Sequence, residues 1–299
     1  MTRSPQIAWL ADGKRLHLQD GPIDLIIEAN GTPDNVRTAY ANAAARFDGL
    51  LDELCAELQL LRAQADPVSS KLQGTTARRM HDAVAPFAGD HFITPMAAVA
   101  GAVAEEILEA MTLAATLDRA YVNNGGDIAL HLAPGQSFSV GLIDRPNRPS
   151  LIGKTVVRSE DATRGIATSG RHGRSFSLGI ADAITVLAKT AAQADAAATI
   201  IGNAIDLPGH AAIARVPARD VQPDSDLGER LVTRSVGLLS QGEIMQALAA
   251  GADCARELVE RGLIEGAALT LQGQIEMIRT EIVRPVTLPD TVQLLAPAA

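Results

Sequence analysis

Apolar and polar residues alternate along the first thirty positions, and this period of two predicts a three-stranded β-meander. Short turns, the first of them at Asp12-Gly13, separate three predicted strands at residues 7–10, 15–18 and 23–28. The period changes at Thr32-Pro33, where Thr is a typical N-cap and Pro fits the first position of a helix. The chain is therefore expected to begin with an antiparallel sheet and to continue into helices.

A leucine-rich helical period then predicts one long amphipathic helix from Pro33 to about Ala65, ending before Pro67. Residues 76–84 predict a shorter helix that ends at Pro86. The segment 95–113 is the most strongly helical of the chain, and its first half consists mainly of Ala and Gly. Such small residues fit close packing on a sheet or the approach of a flat ligand, and the sequence leaves both open.

The rest of the chain adds more strands, an alanine-rich helix near Asp195 and a helical region at 238–261 with candidate boundaries at 240–242 and at Gly251. The further predicted strands are residues 120–122, 128–132, 138–143 and 268–275. Together these elements predict an α+β fold with antiparallel sheets and long helices on one side. We expect one domain over residues 1–299, with a flexible tail at roughly 286–299.

The turn at 123–127 reads Asn-Asn-Gly-Gly-Asp and is a candidate for binding an anion. Gly125 and Gly126 permit positive φ and expose backbone N–H groups, while Asn123 and Asp127 add polar side chains. A plain hairpin loop between two strands explains the same residues equally well. The turn alone is therefore weak evidence for a ligand site.

A second small-residue turn combines the hydroxyl groups of Thr168 and Ser169 with close backbone approach at Gly170. A cationic loop follows it directly and contains Arg171, His172 and Arg174. These three side chains are the candidates for catalysis, because cations next to a hydroxyl-bearing turn suit an anionic substrate. An exposed loop with no chemical role is the competing interpretation for His172.

Asp195 and Thr199 lie four residues apart in the predicted alanine-rich helix, so they share a helix face and direct oxygen atoms towards one point. Hard oxygen ligands of this kind suit Mg²⁺ better than a soft metal. A structural explanation competes, because an Asp near a helix N-terminus stabilises the dipole and a helical Thr can bond to its own preceding turn.

The composition is that of an ordinary soluble protein, with 47% hydrophobic and 20% charged residues among 299. Aromatic residues make up only 3%, and the net charge is -9, so a nucleic-acid partner is not expected. An anionic cofactor can still bind if local arginines and a metal ion offset the overall field. The alanine-rich composition is compatible with a homo-oligomer without specifying one.

The two cysteines, Cys55 and Cys254, exclude a disulfide framework and argue against a multi-cysteine zinc site. Both are interpreted as small core hydrophobes, with a reactive thiol as the alternative. Charges interrupt each apolar run of the N-terminal segment, and no window is long enough to cross a bilayer. We therefore expect a cytoplasmic protein with no membrane partner.

Other catalytic schemes find little support in the sequence. The six histidines form no His-x-x-x-His metal pair, and no Gly-x-Ser-x-Gly nucleophile elbow is present. Gly153-Lys154-Thr155 resembles the end of a Walker loop, but Arg148 stands where its leading glycine should be. No Gly-x-Gly-x-x-Gly occurs, so a Rossmann or P-loop nucleotide site is not expected.

The order of three segments resembles the ApbE-like superfamily of flavin transferases, over roughly residues 95–205. The segments are the small-residue helix start at 95–104, the Asn-x-Gly-Gly-Asp turn at 123–127, and the Ser-Gly turn followed by Ala-Asp-x-x-x-Thr at 194–199. The resemblance is closest to an uncharacterised branch of that superfamily. It implies a layered fold of the ApbE type, counted as a tunnelling-type fold, in which Asp195 and Thr199 help to hold Mg²⁺.

Two departures bear on the reaction that the resemblance implies. The transferases carry a lysine after their glycine-rich helix start, whereas this chain has no Lys between Lys71 and Lys154. They also carry a His-containing segment after the Ser-Gly turn, whereas residues 176–183 contain neither His nor Pro. The family's fold is therefore expected to carry over more safely than its chemistry.

Three hypotheses about function follow from the resemblance. The first is a protein that binds a flavin nucleotide, FAD, with Mg²⁺, either as a divergent FMN transferase or without transfer activity. Arg171 or Arg174 would take the place of the missing lysine. The pocket would be lined by residues of both turns, namely Asn123, Gly125, Gly126, Asp127, Thr168, Ser169 and Gly170. The second is an enzyme or accessory factor of sulfide assimilation and homocysteine formation, and the third is a catalytically silent binding protein.

Overall fold

The computed structural model describes residues 4–143, 151–173 and 175–278. Its helices are α1 (Pro33–Phe47), α2 (Leu50–Ala56), α3 (Leu58–Leu61), α4 (Thr75–Val84), α5 (Val99–Ala114), α6 (Ala191–Ala204), α7 (Ala218–Val221) and α8 (Gln241–Glu260). Short 3-10 turns lie at Ala85–Phe87 and Pro95–Ala98. Among these described residues, no helix has both the length and the apolarity that crossing a bilayer requires.

The strands form one large antiparallel sheet and two small hairpins. They are β1 (Gln6–Trp9), β2 (Leu16–Asp20), β3 (Ile23–Asn30), β4 (Arg119–Asn124), β5 (Asp127–Leu132), β6 (Ser137–Ile143), β7 (Leu151–Arg158), β8 (Gly165–Ser169), β9 (Ala183–Ala188), β10 (Ile213–Pro217), β11 (Leu231–Val236), β12 (Gly266–Leu271) and β13 (Gln274–Ile278). The nine-stranded sheet has the order β1-β2-β3-β4-β5-β8-β9-β12-β13, and β6–β7 and β10–β11 pair separately. The expected α+β class with antiparallel sheets is thus confirmed.

The helices cover one face of this sheet, and the main core lies between them. Strand residues of alternate positions point into it, as Leu18, Leu25 and Ile27 do with no exposed surface. The other face carries a smaller cluster, in which Ile166 and Leu130 pack with Val157 of the β6–β7 hairpin. One face of the sheet is therefore covered by helices, and part of the other face is covered by the β6–β7 hairpin.

Helices α5 and α6 lie side by side at the centre of the main core. The alanines of α6 are almost entirely buried, and the chain of α5 comes so close that Gly101 has no room for a side chain. A Cβ at Gly101 would lie well inside van der Waals contact of the Ala191 carbonyl. The small-residue stretch thus serves close helix packing, one of the two roles that the sequence allowed.

Most predicted elements near the N-terminus are confirmed, but the long helix is wrong. The meander is present, and Thr32 caps α1 by accepting the N–H of Asn35. The expected helix to Ala65 instead divides into α1, α2 and α3. Its first break follows from Gly49, whose φ of 81° lies in the left-handed region that a continuous helix excludes.

The helical region at 238–261 is one helix, α8, which begins at the expected boundary after Ser240 and continues through Gly251, where that glycine packs against Ile205. Two further predictions need correction. The single closing strand at 268–275 is two strands joined by a turn at Gln272 and Gly273, both with positive φ. Cys55 is exposed, since the leucines of α2 take the inner face, so it is not a core residue. The expected tail at 286–299 falls outside the described residues.

The N-terminus of α8 is fixed by a capping box and by a contact with the loop before β10. Ser240 and Glu243 exchange hydrogen bonds between side chain and backbone, and His210 Nε2 lies 2.9 Å from Glu243 Oε1. The contact with His210 and the N–H of Ser240 lower the pKa of Glu243 from 4.5 to about 2. The carboxylate form of Glu243 is therefore favoured by the folded state.

We expect Glu243→Gln to lower the free energy of unfolding at neutral pH by an amount that shrinks in acid. Since the folded-state pKa is depressed, the stabilisation is present above about pH 4.5 and is lost as the pH falls towards 2. Urea denaturation of both proteins between pH 7 and pH 3.5 measures the difference. Glu260→Gln, at an exposed position of the same helix, is the control and should change little.

Gly101→Ala should destabilise the protein, because its methyl group has to displace the backbone of α6. We expect a loss of about 1–3 kcal/mol in the free energy of unfolding, the usual cost of overpacking. Gly242→Ala is the matched control, since that helical glycine has open space around its Cβ position and should gain up to about 1 kcal/mol. Equal stability of the two variants would contradict the close packing.

Candidate functional site

The three sequence segments singled out above meet at one end of the large sheet. The β4–β5 turn, the end of β8, the start of α5 and the first turns of α6 contribute backbone and side-chain contacts there. The elements come from distant parts of the chain and are brought together by the antiparallel strand order.

Asp195 lies in the second turn of α6 and reaches across to α5. Its Oδ2 atom accepts the backbone N–H of Gly101 at 3.1 Å. The absence of a side chain at Gly101 permits this approach, because the same close packing brings the two backbones together. The helix pair therefore sets the position of this carboxylate.

The β4–β5 turn is a tight hairpin, as the competing interpretation had it, and it also contributes to the site. Gly125 and Gly126 have φ values of 66° and 117°, and Asn124 pairs with Asp127 across the turn. Paired residues share a face, so Asn124 and Asp127 both point towards the helices. Asn124 donates from Nδ2 to the carbonyl of Ala100 at 3.2 Å.

The side chain of Asn123 forms a hydrogen bond within the β4–β5 turn itself. Its side chain accepts the N–H of Gly126 at 2.8 Å and so closes the turn on itself. By the alternation of the strand, it points away from the face that carries Asn124. The residue of this turn that contacts α5 is therefore Asn124, which strict alternation from the buried Val122 could have identified.

Asp127 connects the hairpin to the Ser-Gly turn after β8. Its Oδ1 atom accepts the N–H of Thr168 at 3.1 Å. The hydroxyl group of Thr168 points to the other face of the sheet, where it lies 3.1 Å from the hydroxyl of Thr185. Thr168 thus meets the site through its backbone, whereas alternation places Ser169 on the same face as the core residue Ala167.

The carboxylates of Asp127 and Asp195, called here the carboxylate pair, lie within each other's electrostatic field. Burial and the negative charge of Asp127 raise the pKa of Asp195 well above its usual range. The N–H groups of Gly101 and Ala100 act in the opposite direction but do not outweigh them. Two carboxylates in a poorly solvated place favour a proton or a cation between them.

Thr199 lies one helical turn beyond Asp195 and is partly buried. Its side chain is therefore on the same face of α6 as Asp195. Within the described ranges, no cluster of three or more His, Cys, Asp or Glu side chains is arranged for a metal ion. A metal here would therefore depend on two carboxylates, a hydroxyl group and oxygen atoms of water or ligand. That donor set fits Mg²⁺, which retains waters and is often completed by phosphate.

The cationic loop is fastened to a carboxylate that the sequence did not single out. Arg171 donates to Asp182 Oδ1 from Nε at 2.9 Å and from Nη2 at 2.6 Å, and His172 Nε2 lies 3.2 Å from the same atom. Asp182 is 1% exposed. Arg171 and His172 thus serve to satisfy a buried charge, and Arg174 falls outside the described residues.

A surface groove of about 480 Å³ lies elsewhere, between α4, α5 and the N-terminus of α6. Arg79 there contacts Glu105 at 2.9 Å and Glu109 at 2.6 Å, and Glu105 also accepts the N–H of Ala192 at 2.7 Å. These contacts of Arg79 and Glu105 tie three helices together. We regard the groove as part of the scaffold and assign the candidate site to the carboxylate pair.

Curated proteins that resemble part of this chain include members of the uncharacterised family UPF0280. A UPF0280 protein of Methanopyrus kandleri is 39% identical over 127 residues, which cover 42% of this chain and 48% of that protein. One of Archaeoglobus fulgidus is 41% identical over 113 residues, covering 38% and 45%. The chain thus spans about half the length of the curated relatives it matches.

Two solved structures are similar over most of the chain at low identity. The ApbE protein of Thermotoga maritima is 14% identical with a TM-score of 0.48, covering 92% of this chain and 98% of that one. The apo flavinyl transferase ApbE of Pseudomonas stutzeri is 12% identical with a TM-score of 0.48, covering 94% and 97%. The family itself follows from the sequence, since residues 7–277 match the model described as AbpE bacteria. This match covers most of the chain, and the protein therefore belongs to that ApbE-like family.

Proposed function

We propose that the protein binds a flavin nucleotide, FAD, together with Mg²⁺ at the carboxylate pair. The observation that carries the proposal is the convergence of two carboxylates where three family segments meet: Asp195 accepts the N–H of Gly101, and Asp127 accepts the N–H of Thr168. The charge of Asp127 also raises the pKa of Asp195. A divalent cation would relieve this repulsion and offer positive charge to a diphosphate. The flavin part of the proposal rests on the ApbE-like family to which the chain belongs.

In this proposal, Asp195, Asp127 and Thr199 supply the oxygen ligands, and Mg²⁺ would supply charge neutralisation at the diphosphate. The glycines of the β4–β5 turn and Ser169-Gly170 would allow the nucleotide to approach the backbone closely. Arg171 takes no direct part, because its guanidinium group is already paired with Asp182. With a net negative site, binding of the anionic nucleotide should depend strongly on the metal.

Transfer of FMN to an acceptor protein requires more than binding. A base has to remove a proton from the acceptor hydroxyl, and positive charge has to stabilise the leaving diphosphate. The chain lacks the lysine and the His-containing segment of the transferases, and His172 is turned towards Asp182. We therefore propose nucleotide binding without efficient transfer.

The thiol chemistry expected of a sulfide-assimilating enzyme finds no support in the described contacts. Burial raises the pKa of Cys254 to about 11, which disfavours the reactive thiolate. Cys55 is exposed on α2, a helix that contributes no contact to the site among those described. Cytoplasmic location and self-association stay predictions from the sequence.

Asp195→Asn should weaken FAD binding in the presence of Mg²⁺ by at least about tenfold, since a hard anionic ligand is lost. The free energy of unfolding should stay the same or rise, because Asn still accepts the N–H of Gly101 while the repulsion from Asp127 is removed. Calorimetric titration with Mg²⁺ and with EDTA, together with urea denaturation, measures both effects.

Asp253→Asn, at an exposed position of α8, is the matched control and should bind like the wild type. A purely structural Asp195 predicts the opposite pattern: unchanged affinity and a loss of stability of about 1 kcal/mol. If wild type and Asp195→Asn bind FAD with equal affinity and the variant is less stable, the proposed metal site is wrong.

Incubation with FAD, Mg²⁺ and an acceptor protein should produce little or no FMN adduct, even though the nucleotide binds. The measurement is intact-mass spectrometry of the acceptor, with an active flavin transferase as positive control. A stoichiometric FMN adduct formed by the wild type would show that other groups replace the missing lysine and histidine. In that case the protein would be a transferase.

A further inference from the structure

Asp182 is the most completely buried carboxylate near the candidate site, and four donors surround it. Oδ1 accepts Arg171 Nε, Arg171 Nη2 and His172 Nε2, and Oδ2 accepts the backbone N–H of Gln272 at 2.6 Å. The backbone N–H of Asp182 in turn donates to the carbonyl of Thr270 at 2.9 Å. Asp182 therefore joins the segment before β9, the loop after β8 and the β12–β13 turn.

The segment 168–172 is held at both of its ends by carboxylates. At its start, the N–H of Thr168 donates to Asp127, and at its end Arg171 and His172 bind Asp182. Between them, Gly170 has a φ of 144° and lies so close to Asp182 that a Cβ would overlap its carbonyl oxygen. The N–H of Arg171 also donates to the carbonyl of Ala181 at 3.0 Å. The turn is thus fixed relative to Asp127.

The β12–β13 turn adds a second sign that this arrangement is constrained. Among the described residues, Gln272 is the one non-glycine position with positive φ, at 44°. Its amide group donates to the carbonyl of Gly237 at 2.7 Å and accepts the N–H of Leu239 at 3.2 Å. A strained backbone persists where several contacts determine it, and here they hold its N–H against Asp182.

We propose that Asp182 is a positioning residue for the nucleotide site. It holds the Thr168–His172 segment so that Asp127 faces Asp195 and the Ser169-Gly170 backbone lies beside them. It also neutralises Arg171, which leaves the charge of the carboxylate pair to be balanced by the metal. This inference rests on the proposed binding of FAD and Mg²⁺, and it assigns to Asp182 no contact with either.

The test is the Mg²⁺-dependent affinity for FAD of Asp182→Asn, measured by calorimetry in Mg²⁺ and in EDTA. The amide nitrogen of Asn has to face either the Arg171 guanidinium or the N–H of Gln272, so donors oppose each other and the segment loosens. We expect a loss of about 10–100-fold in Mg²⁺-dependent affinity, the usual effect of removing a residue that orients a metal ligand. Asp182→Glu, which keeps the charge, should recover part of this loss.

Glu106→Gln is the matched control, because it also converts a buried, arginine-bound carboxylate into an amide. Glu106 is 8% exposed and accepts Arg46 Nε at 2.8 Å and Thr75 Oγ1 at 3.0 Å, among the helices of the scaffold. We expect this variant to lose stability and to keep the FAD affinity within about twofold of the wild type. An equal loss of affinity in both variants would show a general effect of instability and overturn the positioning role.

A double-mutant cycle of Asp182→Asn and Arg171→Gln tests the same role by a second route, and Asp182→Glu takes the place of Asp182→Asn in the cycle if the latter folds poorly. If Arg171 acts through Asp182, the single variants overlap in their effect and the double variant is little worse than either. If Arg171 contacts the diphosphate itself, its effect is the same with and without Asp182. In a folded Asp182 variant, hydrogen exchange of residues 166–173 should be faster than in the wild type.

The outcomes separate this inference from the proposed function. Wild-type binding of FAD that depends on Mg²⁺, with unchanged affinity in a folded Asp182→Asn variant, would refute the positioning role alone. Absence of Mg²⁺-dependent binding in the wild type would refute the proposed function and this inference with it. Loss of affinity in Asp182→Asn, beside normal affinity in Glu106→Gln, supports both.

Discussion

The site depends on the close approach of helices α5 and α6. At Gly101 the two backbones lie so close that no side chain fits, and Asp195 uses the same gap to accept the Gly101 N–H. The adjoining carbonyl of Ala100 holds Asn124, and Asn124 pairs with Asp127 across the hairpin. A single packing constraint between small residues therefore connects the elements that carry the two carboxylates.

The fold places like charges together at one point and satisfies opposite charges at the next. Burial and the negative charge of Asp127 raise the pKa of Asp195. Asp127 contacts Thr168, and three residues after Thr168 the cation Arg171 is paired with Asp182. A cation is therefore attracted to the negative charge of the carboxylate pair, whereas the charge of Asp182 is already balanced by Arg171. This separation explains why a chain with a net charge of -9 can be proposed to bind an anionic nucleotide through a metal ion.

Much of this arrangement could be predicted from the sequence, because local signals determine it. The Thr32-Pro33 cap, the meander and the glycine turn at 125–126 are set by neighbouring residues, and the order of motifs indicated the family. The break at Gly49 and the turn at Gln272 were missed, since a leucine period and an apolar run continue across them. The role of Asp182 could not be predicted, because its partner Gln272 is 90 residues away in sequence and approaches only through the order of strands in the sheet.

The central claim is that the carboxylate pair holds a divalent cation beneath a nucleotide diphosphate. The most direct measurement is a crystal structure with FAD and Mn²⁺, an oxygen-binding substitute for Mg²⁺ whose position anomalous scattering identifies. We expect an anomalous peak at ligand distance, about 2.0–2.3 Å, from the Asp195 carboxylate, with the diphosphate in contact with the metal. FAD bound away from the carboxylate pair, or an anomalous peak at another site, would contradict it.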